Sequence, residues 1–212
     1  MTRVGSSSLK DFLHMKSSRK YLYKVGSTDY VYEHMSLEGF PDSCPYFYHR
    51  DVPKDLFFFM CIKCGNPEAL LRLGFKRYFN GWDFVFDKRD ELEYIARAAE
   101  KKFLPALYVY GIILLCIGDD KGIDFLSHID DCKNIIHDVT FYRRLTLQMV
   151  DSLCGPCTVT SNLKDGKKEC DCLIERKLHG WEAITDDVAD NYDSICRFCR
   201  WNNEAKLFVR ML

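Results

Sequence analysis

Cysteine is the residue type in this sequence whose number and spacing could support chemistry. The chain of 212 residues contains 11 cysteines, and six of them form three close pairs toward the C-terminus. These pairs are Cys154 with Cys157, Cys170 with Cys172, and Cys196 with Cys199. A C-x-x-C pair occurs in dithiol oxidoreductases and also in zinc sites, where it supplies two of the four ligands. The two chemistries imply unrelated functions.

The sequence Cys154-Gly-Pro-Cys157 has the spacing of a thioredoxin-like dithiol. Such a dithiol works when one thiolate is stabilised at a helix N-terminus that directly follows a β-strand. Here a helical pattern precedes Cys154, and the turn-rich segment 158–166 follows Cys157. Because this order of elements is inverted, a thiol–disulfide oxidoreductase that uses Cys154 and Cys157 is an alternative function and not the leading one.

A structural zinc ion accounts better for cysteines that gather where the apolar periodicity ends. Zinc takes four N or S ligands in a tetrahedron, usually as two close pairs on tight turns. Cys196 and Cys199 lie on a turn at a predicted helix start and are the firmest ligands. The residues alone leave the other ligands open among Cys170, Cys172, Cys154, Cys157 and His179. A segment too small to bury its own core gains folding free energy from such a metal.

The remaining cysteines lie mostly in apolar helical patterns and are predicted to be buried thiols: Cys44, Cys61, Cys64, Cys116 and Cys132. Cys61 and Cys64 also form a C-x-x-C pair, but their context predicts the end of a helix with Gly65 as its C-cap. The sequence has no G-x-S-x-G, Gly-rich phosphate loop or H-E-x-x-H motif, and acidic pairs such as Asp130-Asp131 resemble solvated faces. We therefore predict that the protein is not an enzyme.

Composition and charge limit the class of partner. The formal net charge is -1, and basic residues occur only in short groups such as Lys164 to Lys168, so a zinc-dependent nucleic-acid binder is a further alternative and no membrane surface is implied. The N-terminus lacks a signal-peptide pattern, and the longest apolar run, Ala106 to Gly118, is shorter than the roughly 20 residues of a membrane span. These features predict an intracellular protein of the cytoplasm or nucleus.

The elements that must position the cysteines are predicted to be helices. Asn66-Pro67 is a typical helix start, and apolar residues recur with helical spacing through most of the first 150 positions. At an offset of 37 residues the chain repeats itself, with Ala69, Leu70, Gly74 and Gly81 matched by Ala106, Leu107, Gly111 and Gly118. Small residues at fixed helical positions predict paired helices that approach closely, as in a helix-turn-helix solenoid.

Several segments resemble a group of plant F-box proteins. They are the run Ser8 to Pro41, which is similar to the second half of an F-box, then CGNPEALLRLGFKRYF, ARAAEKKFLPALYVYGIILLC and the closing C-x-x-C-R-W-x-x-E. The resemblance implies a middle domain of tetratricopeptide or Sel-one-like helical repeats. It also implies an adaptor whose F-box docks on the Skp subunit of a cullin-based ubiquitin ligase while the repeats present a substrate protein.

The resemblance bears on the N-terminus and on the metal ligands. The first half of an F-box, with its Leu-Pro helix start, lies outside this sequence, so we expect an incomplete Skp-docking surface. The family places a cysteine and then a tryptophan before the final C-x-x-C, and Cys172 and Trp181 fill those places. This implies one structural zinc held by Cys170, Cys172, Cys196 and Cys199, with Cys154, Cys157 and His179 as alternates.

The predicted fold is mainly α: a short α-solenoid of tetratricopeptide or Sel-one-like repeats with a small zinc-stapled, Cys-rich C-terminal tail. The predicted parts are a partial F-box-like helical segment (1–45), the helical repeat domain (46–153), and the Cys-rich tail with its C-terminal helix (154–212). We predict that the tail covers the C-terminal end of the solenoid, because an unpaired last repeat would expose its apolar face. The predicted function is a non-catalytic protein-interaction module.

Overall fold

A computed structural model describes residues 28–37, 52–79, 89–130, 135–151 and 196–212. Within these ranges the secondary structure consists of helices, without a strand. The helices are α1 (Asp29–His34), α2 (Val52–Lys63), α3 (Pro67–Phe79), α4 (Arg89–Glu100), α5 (Leu104–Cys116), α6 (Gly122–Asp130), α7 (Ile135–Asp151) and α8 (Arg197–Met211). The predicted mainly α fold is confirmed.

The repeat seen in the sequence corresponds to two packed helix pairs, α3 with α4 and α5 with α6. Helices α3 and α5 each have 13 residues, and they begin 37 residues apart at Pro67 and Leu104. Each of them packs most closely on the helix that follows it, and α5 also packs on α4. Gly81, the sequence partner of Gly118, lies outside the described residues. The offset found in the sequence is therefore a structural repeat of the first helix in each pair.

Two repeated glycines allow the helices of each pair to touch. A Cβ atom added at Gly74 would lie 2.7 Å from Cγ1 and 2.9 Å from the backbone N of Ile95 on α4. A Cβ atom added at Gly111 would lie 2.6 Å from Cγ of Leu126 and 2.9 Å from the carbonyl oxygen of Gly122 on α6. Any side chain at these positions would force the two helices apart, which explains glycine in a helix interior.

Helix α2 ends at the glycine that the sequence predicted. Gly65 has a φ angle of +79°, a backbone conformation that favours glycine. Its N–H donates to the carbonyl of Ile62 at 3.0 Å, and the N–H of Asn66 donates to the carbonyl of Cys61 at 2.8 Å. This pair of bonds is the Schellman motif, which satisfies the last carbonyls of the helix. Gly118, with φ +85°, ends α5 in the same way.

The buried side chains form two clusters. The larger one joins α3 to α8 and includes Leu70, Phe75, Ile95, Tyr108, Ile112, Leu126, Trp201 and Phe208. The smaller one, at the N-terminal end, holds α1 and α2 on α3 through Tyr32, Met35, Leu37, Phe57, Cys61 and Ala69. Helix α5 is apolar on all sides because it contacts α3, α4, α6, α7 and α8. Among the described helices, none is long and apolar enough to cross a membrane.

Candidate functional site

The first turn of α8 carries the two cysteines that the sequence predicted as the firmest zinc ligands. Cys196 is the N-cap residue of α8, and its Sγ accepts a hydrogen bond from the backbone N–H of Cys199 at 3.5 Å. Cys196 is exposed and Cys199 is half-buried. An N–H donor and the positive end of the helix dipole both favour the thiolate, which is the form that binds a metal. This turn therefore fits the donor chemistry of half a zinc site.

The other predicted ligands lie outside the described residues: Cys170, Cys172, and the alternates Cys154, Cys157 and His179. In the part of the chain that the structure describes, no three His, Cys, Asp or Glu side chains converge to hold a metal ion. The zinc ion and its ligand set remain predictions.

Beside the cysteine turn, Asp130 ties the start of α8 to the end of α6. Its carboxylate is 5% exposed and interacts with three side chains of α8. Nε of Arg197 lies 2.6 Å from Oδ2, Nε1 of Trp201 donates to Oδ2 at 3.2 Å, and Nη2 of Arg200 donates to Oδ1. Two cations around this buried carboxylate compensate the cost of removing it from water. The motif C-x-x-C-R-W thus joins two predicted ligands to the residues that hold the turn in place.

One helical turn further along α8, Glu204 belongs to a buried ionic cluster. Its side chain is 2% exposed, and that of Arg143 on α7 is 7% exposed. Arg143 donates to both carboxylate oxygens, through Nε to Oε1 at 2.5 Å and through Nη2 to Oε2. The hydroxyl of Tyr108 on α5 also donates to Oε1, at 2.5 Å. Because a bidentate Arg–carboxylate pair requires one geometry, this cluster fixes the register of α8 against α5 and α7.

Apolar side chains fill the rest of the contact that α8 makes. Trp201, Ala205 and Phe208 are each 0% exposed. The ring of Phe208 meets the ring of Phe79 on α3 edge to face, with centroids 6.1 Å apart. Val209 is partly buried against the same core. Ala205, Phe208 and Val209 thus form the apolar side of this helix.

Helix α8 packs foremost on α5, the first helix of the second pair, and it also meets α3, α6 and α7. We call the part of this surface that lies on α3, α5 and α7 the closing face: Phe79, Tyr108, Cys116 and Arg143. Because α5 is apolar on every side, the side turned away from its paired helix also requires cover. The predicted covering of the solenoid end by the whole tail stays a prediction, since residues 154–195 lie outside the described part of the chain.

At the other end of the repeats, one amide side chain joins α1 to α3. Asn66 is 1% exposed, and its Oδ1 accepts hydrogen bonds from the N–H groups of Glu68 and Ala69, both at 3.0 Å. Its Nδ2 donates to the carbonyl oxygens of Tyr32 at 3.0 Å and Met35 at 2.8 Å. The predicted N-cap is therefore confirmed, and the same residue holds the preceding segment. We call Asn66 and these four partners the N-terminal junction.

The described core cysteines are protonated thiols. Cys61 and Cys116 are 0% exposed, and burial raises the pKa of each to about 12. Cys64 is half-buried, and its pKa is raised by desolvation first and then by the hydrogen bond that its thiol donates to Asp29 at 3.6 Å. A protonated thiol is a poor nucleophile and a poor metal ligand. The burial predicted for Cys61 and Cys116 is confirmed, whereas Cys64, also predicted to be buried, is only half-buried. Two other predicted core cysteines lie outside the described residues, Cys44 and Cys132.

Sequence reasoning missed the polar residues that hold α8. It predicted that Asp130 faces solvent, which is wrong because this carboxylate is 5% exposed. It did not find Arg143, and it included Glu204 only as the last residue of the motif C-x-x-C-R-W-x-x-E, without a role. A signal was present, since Glu204 lies three residues after Trp201 and four before Phe208, inside an apolar stripe. A carboxylate at such a place requires a buried cation.

We name Tyr108, Asp130, Arg143, Trp201 and Glu204 the C-terminal junction. The side chains of all five are at least nine-tenths buried, and they bind α8 to α5, α6 and α7 through charges, one hydroxyl and one indole N–H. The bidentate contact of Arg143 with Glu204 requires one geometry, so this junction fixes the register of α8.

Comparison with known proteins gives the family. A family model described as plant tetratrico peptide repeats matches residues 41–146. A curated protein of Arabidopsis thaliana, whose name marks it as a candidate F-box protein, is 30% identical over 216 residues, and the alignment covers 94% of this chain and 69% of the relative. No solved structure gives a significant match. The chain belongs to the plant F-box proteins that carry tetratricopeptide-like repeats.

Proposed function

We propose that this chain is a non-catalytic substrate adaptor of an SCF-type ubiquitin ligase. In this role the F-box-like segment docks on a Skp-type subunit and the helical repeats hold a substrate protein. The observation that carries the proposal is a relative with an F-box name that aligns with 94% of the chain, together with a repeat fold built from paired helices. Helical repeats offer extended binding surfaces and use their interior for packing.

The chemistry of the described side chains supports a non-catalytic role. The buried ionisable groups Asp130, Arg143 and Glu204 all join α8 to the repeats. The ring Nδ1 atoms of His34 and His128 lie 2.9 Å and 3.1 Å from the carbonyl oxygen four residues earlier in the same helix. These contacts give the groups structural roles, whereas a general acid or base needs access to a substrate.

Exposed apolar side chains on α2 support a docking area close to the F-box-like segment. Leu56 is 59% exposed and Phe59 is 56% exposed. Because they lie three residues apart on a helix, they share one side of it. Apolar side chains grouped on one side of a surface helix are typical of protein contacts. We therefore include these two residues in the proposed docking area.

Co-purification with a Skp-type subunit tests the adaptor role. We expect the chain joined to a complete F-box to retain the subunit. The double variant Leu56→Asp with Phe59→Asp should weaken retention. Phe141→Asp is the matched control, since Phe141 is also half exposed but lies on α7. Failure of the extended chain to retain the subunit would refute the proposal.

We also propose that Cys196 and Cys199, with Cys170 and Cys172, hold one structural zinc ion. The N–H···Sγ bond within the cysteine turn and the helix N-terminus beside it favour paired thiolates. When bound, zinc would link the Cys-rich segment to the start of α8 and add its binding energy to folding. The neighbouring contacts of Asp130 would hold this turn against the repeats.

Metal analysis of the purified chain tests this site. We expect about one zinc per chain, the usual content of a single structural site. The double variant Cys196→Ser with Cys199→Ser should lose the metal. The matched control is Cys61→Ala with Cys64→Ser, which removes a pair of the same spacing whose thiols are protonated. Zinc retained by the first variant, or none in the unchanged chain, would contradict the assignment.

A further inference from the structure

The start of α8 carries a Cys-Arg doublet that is repeated after three residues. Cys196 is followed directly by Arg197, and Cys199 is followed directly by Arg200. Residues three apart on a helix lie on one side of it. The spacing that lets two cysteines reach one metal ion therefore also lets two arginines reach one anion. A single helical turn thus interleaves predicted metal ligands with cations.

Asp130 on α6 is the anion that both arginines meet. Its carboxylate is 5% exposed, Nε of Arg197 lies 2.6 Å from Oδ2, and Nη2 of Arg200 donates to Oδ1. The indole N–H of Trp201 donates to Oδ2 at 3.2 Å. Because both oxygens are engaged by residues of one turn, the carboxylate fixes the rotation of that turn about the axis of α8. The cysteines that alternate with the arginines are held by the same contacts.

We propose that Asp130 is a positioning residue of the metal site, which holds the first turn of α8 so that Cys196 and Cys199 can bind one ion. Contacts that orient metal ligands typically contribute about 10–100-fold to metal affinity. Asp130 acts on the metal through the turn and is not itself a ligand. By linkage, a bound ion strengthens the docking of α8 on α6 by the same factor. This inference rests on the proposed zinc site.

A second effect of the Asp130 carboxylate has the opposite sign. A negative charge near thiolate ligands repels them, so removing the charge alone would strengthen metal binding. The two arginines already offset this charge, and because the Arg197 side chain is 53% exposed, solvent and salt screen what remains. Lost orientation is not screened in this way. We therefore expect the loss of orientation to dominate.

Competition of the full chain with a chromophoric chelator for zinc tests the proposal. Asp130→Asn should weaken zinc binding at least about tenfold, as expected for the loss of an orienting contact. Asp124→Asn is the matched control, since Asp124 is an exposed carboxylate on the same helix and should leave the affinity unchanged. Zinc bound by Asp130→Asn as tightly as by the unchanged chain, or more tightly, would overturn the proposal.

Cobalt(II) in place of zinc distinguishes positioning from a general loss of stability, because its visible absorption depends on the arrangement of its ligands. Asp130→Asn saturated with cobalt should show an altered spectrum. Arg143→Met, which breaks the other anchor of α8 and leaves its first turn unchanged, should keep the spectrum of the unchanged chain. An unaltered spectrum in Asp130→Asn would overturn the positioning role.

Arg197→Gln decides the matter if Asp130→Asn fails to fold. It removes one of the same contacts through a half-exposed side chain, so the fold should tolerate it. We expect weaker zinc binding that persists in high salt, where a purely electrostatic effect is screened. Unchanged affinity in high salt would overturn the proposal. Absence of zinc from the unchanged chain would instead refute the zinc site itself and this inference with it, so the two failures are distinguishable.

Discussion

The two junctions of this protein attach helices to the same repeat array by different means. The N-terminal junction centres on a neutral amide, Asn66, whose four hydrogen bonds go to backbone groups. The C-terminal junction centres on two buried carboxylates, Asp130 and Glu204, that meet arginine side chains. Backbone groups are present whatever the sequence, whereas charged side chains must be matched. The N-terminal junction thus suits a permanent connection, and the C-terminal junction suits a selective one.

The connectivity of the chain agrees with this difference. Helix α2 runs into α3 through Gly65 and Asn66, so the N-terminal junction is assembled beside a short turn. Helix α8 comes from a distant segment and has to find one register on the closing face. An ionic cluster fixes that register, and burying its charges costs desolvation free energy. Helices joined by a short turn do not need such a cluster, because the turn already fixes their register.

Breaking the ionic cluster should have the largest effect. Arg143→Met leaves Glu204 buried without its cation, and we expect a loss of about 3–5 kcal/mol in the free energy of unfolding. Denaturant titration followed by circular dichroism measures it. Arg144→Met is the matched control, because Arg144 is its exposed neighbour on α7 and should change stability by no more than about 0.5 kcal/mol. Similar losses for both variants would show that the cluster does not hold α8.

Replacing both charged partners sharpens the interpretation of that result. The double variant Arg143→Met with Glu204→Leu removes the uncompensated charge and should recover part of the stability lost by Arg143→Met alone. A double variant that is less stable than Arg143→Met would mean that the ion pair adds net stability, and the selective role of the C-terminal junction would then lose its basis.

An intermediate effect is expected at the N-terminal junction. Asn66→Ala removes the cap of α3 and leaves the carbonyls of Tyr32 and Met35 without this donor, so we expect a loss of about 1–3 kcal/mol. Asn66→Ser keeps a cap acceptor and removes only the bonds to those two carbonyls. In the same denaturant titration, the difference between the two variants gives the contribution of the helix cap. The loss for Asn66→Ser alone gives the contribution of the bonds to the two carbonyls. An equal loss for both would mean that the cap contributes nothing.

The buried thiols report which junction opens. Cys61 lies in the N-terminal cluster, and Cys116 contacts the backbone of Ala205 on α8. In the unchanged chain both should resist alkylation near pH 8, because each pKa is raised from 9.0 to about 12 by burial. Arg143→Met should accelerate labelling of Cys116 more than that of Cys61, as mass spectrometry would show. Equal acceleration would mean that the junctions open together.

The same thiols determine the direction in which the stability of the fold changes at high pH. A folded-state pKa above the unfolded value means that the contribution to stability is fully present below pH 9.0 and is lost as the pH rises toward about 12. We therefore expect the denaturation midpoint of the unchanged chain to fall over this range.

The smallest effect is expected at the exposed pair of Glu33 and Lys101, which links α1 to the end of α4. The hydrogen bond from Lys101 lowers the pKa of Glu33 below 4.5. A lowered pKa gives a contribution that is present above pH 4.5 and is lost as the pH falls through the folded-state value. Glu33→Gln should therefore differ little from the unchanged chain, and not at all in high salt or strong acid. A salt-independent loss would show that this pair is a third junction.

Much of this fold could be predicted because its signals are local. The small residues Gly74 and Gly111 mark the close helix pairs, Asn66-Pro67 marks a helix start, and Gly65 marks a helix end. The residues that α8 contacts could not be predicted, since an apolar stripe shows that a helix is covered and not which side chains cover it. The pairing of Arg143 with Glu204 joins positions 61 residues apart and has no local pattern. The predicted zinc ligands fall between these cases, since Cys196 and Cys199 lie on a turn in the described part of the chain and the other predicted ligands lie outside it.

The long reach of α8 has a consequence for the order of folding. Contacts among α3, α4, α5 and α6 join neighbours in sequence, whereas Glu204 meets partners 61 and 96 residues away. Loop-closure entropy delays such distant contacts, and a chain made from its N-terminus completes the repeats before α8 is synthesised. The closing face therefore receives the contacts of α8 only after the repeats have formed, so the register of α8 is set on a surface that is already built.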